Sequence, residues 1–151
     1  MKNIRSFEDY TPEIDETAFI DESAVVTGNV VIGKDSSVWP CCSVRGDIHS
    51  IRIGERSNIQ DGSILHVTHD SEYAPGGFKL SVGNDVTVGH NVVLHACTVE
   101  DLCLIGMGSV VLDGSLVKSG AIVGAGSLVP PNKVLEGGCM WLGSPVKKAR
   151  E

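Results

Sequence analysis

The chain has 151 residues, 42% apolar and 5% aromatic, with 18 glycines and 6 prolines, a size and balance that fit one soluble domain spanning residues 1–151. Twelve Lys and Arg against 19 Asp and Glu leave a formal charge of −7, and no local basic run stands against it, so neither nucleic acid nor an anionic membrane is an expected partner. No stretch of about 18 apolar residues occurs and residues 1–10 carry no signal-like apolar run, so the expected location is cytoplasmic.

Plentiful Gly, Val and Ile with few aromatics predict short strands joined by tight turns. In chain order the strands come with a period. Ile14, Ile20, Val26, Ile32, Val38 and Val44 each follow the last by six residues. The count returns in shifted phase at Ile53, Ile59 and Leu65, then at Val82, Val88 and Leu94. It closes with Val99, Ile105, Val111, Val117, Val123, Val129 and Leu135. Helices repeat at three and four and amphipathic strands at two, so a sustained six fits neither. A six-residue unit cannot bury its one large side chain alone, but coils of three units stacked on one another enclose a column of Val, Ile and Leu. The expected fold is therefore an all-β solenoid of triangular section.

Three breaks interrupt the period. Nine residues separate Val44 from Ile53, seventeen separate Leu65 from Val82, and five separate Leu94 from Val99. The longest passes through Thr68, His69, Asp70 and the Pro75-Gly76-Gly77 turn, which predicts an exposed loop. The five cysteines, Cys41, Cys42, Cys97, Cys103 and Cys139, are odd in number and form no C-x-x-C pair, so they are expected as buried small apolar groups rather than disulfides or zinc ligands.

With each break treated as an excursion, Val44, Leu65 and Leu94 fall on one side of the coil, face A. The residues after them, Arg45, His66 and His95, then form one outward column about 4.8 Å apart. Ile59 and Val88 share the preceding side, face B, which carries Gln60, Asp61 and His90. His90 and His95 thus lie on different sides of one chain. Packing identical solenoids about a threefold axis brings face A of one against face B of the next, so that His66 and His95 converge with His90 of the neighbour. Three imidazoles with one open position are the arrangement of a catalytic divalent metal. Arg45 and Asp61 would face each other across the same boundary.

The hexads resemble those of the hexapeptide-repeat proteins, and that resemblance implies a left-handed parallel β-helix with about eighteen residues per coil. More specifically, Arg45-Gly46-Asp47, Asn58-Ile59-Gln60-Asp61-Gly62, Leu65-His66 and Val88-Gly89-His90-Asn91-Val92-Val93-Leu94-His95 resemble the γ-class carbonic anhydrases. The resemblance implies His66, His90 and His95 as ligands of a divalent metal, zinc first, with iron or cobalt equally suited to imidazole. It implies Gln60 beside the reactive water, with Arg45, Asp47 and Asp61 organising the interface of a homotrimer. The implied reaction is reversible hydration of carbon dioxide to bicarbonate, because such a metal lowers the pKa of water from about 15.7 towards 7.

Two features depart from the family pattern. Ile48 follows Asp47 where active members carry an acid, leaving His49, His69, Asp70 and Glu72 as alternative proton carriers. Residues 141–150 resemble the segment that leaves the solenoid, after which relatives continue as a helix, here short or absent. The alternative readings are a coenzyme A acyltransferase or thioesterase of the hexapeptide class, and a non-catalytic trimeric metal-binding scaffold.

Overall fold

The computed structural model describes residues 2–151, and none of these residues is helical. Twenty strands are present, and all but the last, which is antiparallel, stack into the left-handed parallel β-helix that the family resemblance implies. Face A carries the strands around Val44, Leu65, Leu94, Val111 and Val129, each parallel to the next. Face B is an eight-stranded sheet running from Phe19–Ile20 to Val146–Arg150. The third side, face C, carries Ile53, Val82, Val99, Val117 and Leu135. Faces A and C are joined into one sheet because two strands, Val25–Ile32 and Ser43–Ile53, run through the corner between them without ending.

The periodic residues form the core. Val26, Val38, Val44, Ile59, Leu65, Val88, Leu94, Ile105, Val111, Val117, Val123, Val129 and Leu135 are all fully buried in one hydrophobic cluster. Each buried side chain of this size contributes about 1.5–3 kcal/mol relative to exposure. Ile14 and Ile20 keep the period but are only partly buried, because they belong to the first coil, which has no coil above it. Buried serines fasten the coils where the backbone turns. Ser57 Oγ, for example, donates to Gly83 O at 2.7 Å and accepts from Val86 N at 3.0 Å. Among the described residues no buried side-chain nitrogen or oxygen lacks a partner.

The three breaks all fall at one place, the corner between faces A and C. The partner pairs Val26↔Val44, Val44↔Leu65, Leu65↔Leu94, Leu94↔Val111 and Val111↔Val129 lie 18, 21, 29, 17 and 18 residues apart. Extra and missing residues therefore leave the core register intact and change only what projects at that corner. The long excursion is a loop closed at its base by antiparallel pairing of Thr68 with Phe78, and it is exposed over most of its length as expected.

Two expectations need correction. Cys41 is exposed, while Cys42, Cys97, Cys103 and Cys139 are buried. Cys41 turns the corner from face B to face A with φ at 62°, and its side chain points away from the column that receives Cys42. The segment after Cys139 also does not leave the solenoid at once. Met140–Gly143 pairs in register with Ile122–Val123 as a further rung, and Val146–Arg150 folds back antiparallel to it, while the helix expected to be short or absent is absent among the described residues.

The three faces differ in what they offer to solvent. Face B exposes Phe19, Trp39, Leu104, Ile122 and Leu142, with the Phe19 and Trp39 rings in tilted contact at 5.0 Å between centroids. Face C instead carries Arg52, Glu100, Lys118 and Glu136, the last two in an ion pair at 3.1 Å.

Candidate metal centre

The strand register puts His66 directly beside His95 on face A, as the hexad count requires. Their ring centroids are 5.1 Å apart and the rings cross at 69°. His66 Nδ1 and His95 Nε2 face each other at 3.1 Å. Each ring's other nitrogen is held by a carboxylate. His66 Nε2 meets Asp47 Oδ1 at 2.9 Å, and His95 Nδ1 meets Asp113 Oδ1 at 2.6 Å. Burial pushes the Asp47 carboxyl up, but hydrogen bonds from His66 and Arg45 and the Arg45 charge outweigh this and hold it below its usual value. An ionised carboxylate only accepts, so the ring nitrogens facing the two aspartates carry hydrogen. The lone pairs of His66 Nδ1 and His95 Nε2 are then left pointing at one another.

Two lone pairs at 3.1 Å call for a cation between them. Neighbouring nitrogens around a tetrahedral zinc, with bonds of about 2.0–2.1 Å, are separated by about 3.3 Å, so the observed spacing fits a shared metal with little adjustment. A ligand imidazole whose outer N–H is fixed by a carboxylate is also the usual way in which proteins orient and strengthen such donors. The donor set therefore fits a divalent metal.

His90 lies on face B, where its Nδ1 approaches Asp61 Oδ1 at 3.3 Å. It is the third histidine backed by a carboxylate, and it does not meet the other two within the chain. Among the described residues of one chain, no three His, Cys, Asp or Glu side chains are grouped to hold a metal. Gln60 sits on the same face as His90, in a shallow groove with Ser37, Trp39, Asn58 and Asp61. Its Nε2 donates to Asn58 Oδ1 at 3.0 Å, which fixes the amide and leaves Oε1 free to accept. Arg45 is in the His66 column but pairs within the chain with Asp47, while Asp61 pairs with His90.

The remaining histidines are built differently. His49 Nδ1 accepts from Ser50 N at 2.8 Å, and its Nε2 donates to Gly76 O at 3.2 Å. His49, His69 and Asp70 border one open cleft with Asp47, Glu8 and Tyr10, whereas Glu72 lies elsewhere on the exposed loop. Asp113 and Thr68 escaped the sequence reading. Asp113 stands two residues after Val111, the face A residue of the next coil, so extending the column by one coil and looking past its end would have found it.

A β-helix with paired imidazoles at a deformed corner defines a hexapeptide-repeat protein. No family model matches the chain. It is 56% identical over 147 residues to Protein YrdA of Escherichia coli, covering 97% of this chain and 80% of that one. It is 42% identical over 143 residues to the mitochondrial gamma carbonic anhydrase 1 of Arabidopsis thaliana, covering 95% of this chain but spanning 52% of that protein. The crystal structure of a hexapeptide transferase family protein from Anaplasma phagocytophilum superposes with a TM-score of 0.90 at 36% identity, covering 99% of this chain and 85% of that one. The chain belongs to the γ-carbonic anhydrase-like family of hexapeptide-repeat proteins.

Proposed function

We propose that the protein is a cytoplasmic γ-type carbonic anhydrase, hydrating carbon dioxide reversibly at metal sites shared between the chains of a homotrimer. The observation that carries this reading is the 3.1 Å approach of His66 Nδ1 and His95 Nε2, each ring braced from behind by an aspartate. Zinc is the first expectation, with iron or cobalt as alternatives. His66 and His95 supply two donors from face A, and His90 of the adjacent chain supplies the third from face B. The distribution of surface supports that packing, since face B exposes Phe19, Trp39, Leu104, Ile122 and Leu142 and face A exposes Ile64, while the outward residues of face C include Arg52, Glu100, Lys118 and Glu136. When bound, the metal supplies a Lewis acid that makes water a nucleophile near neutral pH.

The chain's own groups do the rest. Asp47 and Asp113 keep the His66 and His95 imidazoles aimed by taking their outer N–H groups, and Asp61 stands 3.3 Å from Nδ1 of His90. Gln60, its amide nitrogen engaged by Asn58, keeps Oε1 available to accept a hydrogen from the reacting water. Arg45, half exposed and oriented by Asp47, presents a cation at the rim where bicarbonate leaves. His49, His69 and Asp70 border the cleft that opens beside Asp47, and are the groups positioned to pass a proton to bulk water.

The transferase reading draws support from the Anaplasma relative, which is named a hexapeptide transferase family protein. A histidine acting as general base must turn a free lone pair towards its substrate, and those of His66 and His95 are turned towards each other. The test is metal content by plasma mass spectrometry on protein purified with and without oxygen, followed by stopped-flow carbon dioxide hydration with zinc, iron and cobalt. About one metal per chain and turnover are the expected results. A protein that neither retains nor takes up metal would overturn the reading.

A further inference from the structure

The loop that leaves the coil after Val67 is tied to the histidine pair by one side chain. Thr68 Oγ1 donates to Asp113 Oδ2, and Asp113 Oδ1 accepts the Nδ1–H of His95 at 2.6 Å. The three residues come from three successive coils, and the backbone fixes their spacing. Ala96 N donates to His66 O and Gly114 N donates to Ala96 O, both at 2.8 Å, so the corner is stacked rung on rung. From the other side, Thr68 is clamped to Phe78 by two backbone bonds at 3.1 and 3.0 Å, which close the base of the loop. The loop's other polar side chains turn inwards or to solvent. Asp70 accepts from Gly76 N at 2.7 Å, Ser71 accepts from Ala74 N at 3.2 Å, and His69 and Glu72 are exposed.

Asp113 has two oxygens and two donors, one on each. With both bonds made, the carboxylate plane is fixed and its Oδ1 is aimed at the His95 ring. Without the threonine hydroxyl, the carboxylate turns freely about its terminal torsion, where the barrier is low, and the imidazole loses the fixed acceptor that selects its tautomer.

We propose that Thr68 is a positioning residue for the metal site, holding Asp113 so that His95 stays in the Nδ1–H tautomer with Nε2 aimed at His66. The setting of the loop between Thr68 and Phe78 thereby becomes a determinant of metal affinity. This rests on the reading of His66 and His95 as ligands and adds to it a coupling between the loop and the site.

The test uses the full chain with Thr68→Val, which removes the donor at nearly constant shape, Thr68→Ser, which restores it, and His69→Ala as a loop control. In metal-free protein, nitrogen NMR of the imidazoles is expected to show His95 as the Nδ1–H tautomer in wild type, Thr68→Ser and His69→Ala. A mixture of tautomers is expected in Thr68→Val and in Asp113→Asn. Zinc affinity by chelator competition is expected to fall about 10–100-fold in Thr68→Val and to return in Thr68→Ser. Wild-type zinc affinity in Thr68→Val, whatever its tautomer, overturns the proposal while leaving the ligand reading standing. Failure of wild type itself to bind zinc, iron or cobalt overturns the ligand reading and the proposal with it.

Discussion

From Val99 to Leu135 the solenoid runs through seven hexad positions without a break and carries no histidine, whereas the stretch from Val44 to Val99 holds all three breaks and all five histidines. Both stretches bury the same kind of column, and their strands pair in register throughout. What separates them is the corner between faces A and C. In the regular stretch that corner is a tight turn, with Gly114 in the left-handed conformation at φ 72°. In the interrupted stretch it projects Asp47 from the short insertion towards the His66 ring and Thr68 from the long one towards Asp113, the carboxylate behind His95. The regular coils thus supply rigidity and spacing, and the site is built where the period is broken. Asp113 is the one contribution the regular stretch makes, and it reaches His95 from one coil away.

That division of labour can be broken by mutation. His66→Ala and His95→Ala are expected to lose the metal altogether, read as metal per chain, with little change in melting. Ile105→Ala, fully buried in the regular column, is expected to cost about 2–5 kcal/mol in denaturant unfolding while leaving metal stoichiometry intact in the folded fraction. Loss of metal in Ile105→Ala without loss of stability would collapse the distinction between the two stretches. Asp47→Asn keeps the shape but weakens the acceptor behind His66, so metal affinity is expected to drop about 10–100-fold by chelator competition.

Smaller effects sharpen the comparison. The Asp47 carboxyl lies below its usual value of 3.8 in the folded chain, so its contribution to stability is fully present above that value. It is lost as pH falls below 3.8 and through the lower folded value, because protonation then favours the unfolded chain. Melting of metal-free protein between pH 5 and pH 2 is accordingly expected to fall less steeply in Asp47→Asn than in wild type. Least of all, thiol labelling of native protein is expected to modify Cys41 first. Cys97, fully buried with its thiol pushed up to about 12, is expected to react only on unfolding.

The fold was legible because its rule is local and repeated. One large β-branched residue or Leu every six positions names both the core and the sides of the triangle, and the breaks could be treated as excursions because the core register survives them. The same count placed His66 beside His95 and His90 beside Asp61. It failed where direction rather than position decides. Cys41 and Cys42 are neighbours whose side chains part at a corner, and no period tells which turns inwards. Asp113 and Thr68 meet only because two corners of different coils stack, a contact 45 residues apart in the chain and outside any hexad column. The contact of Asp47 with His66 within the chain is likewise set by the shape of the insertion, which no period describes.

The shared site is tested most directly by mixing chains that are each defective alone. His66→Ala and His90→Ala proteins are each expected to carry no metal. Co-expressed in equal amounts, they are expected to recover about one quarter of the wild-type content, since around a threefold ring only one ordered pairing of neighbours in four brings an intact His66 against an intact His90. No recovery in the mixture, or full metal retention by His90→Ala alone, would contradict a centre completed by a second chain.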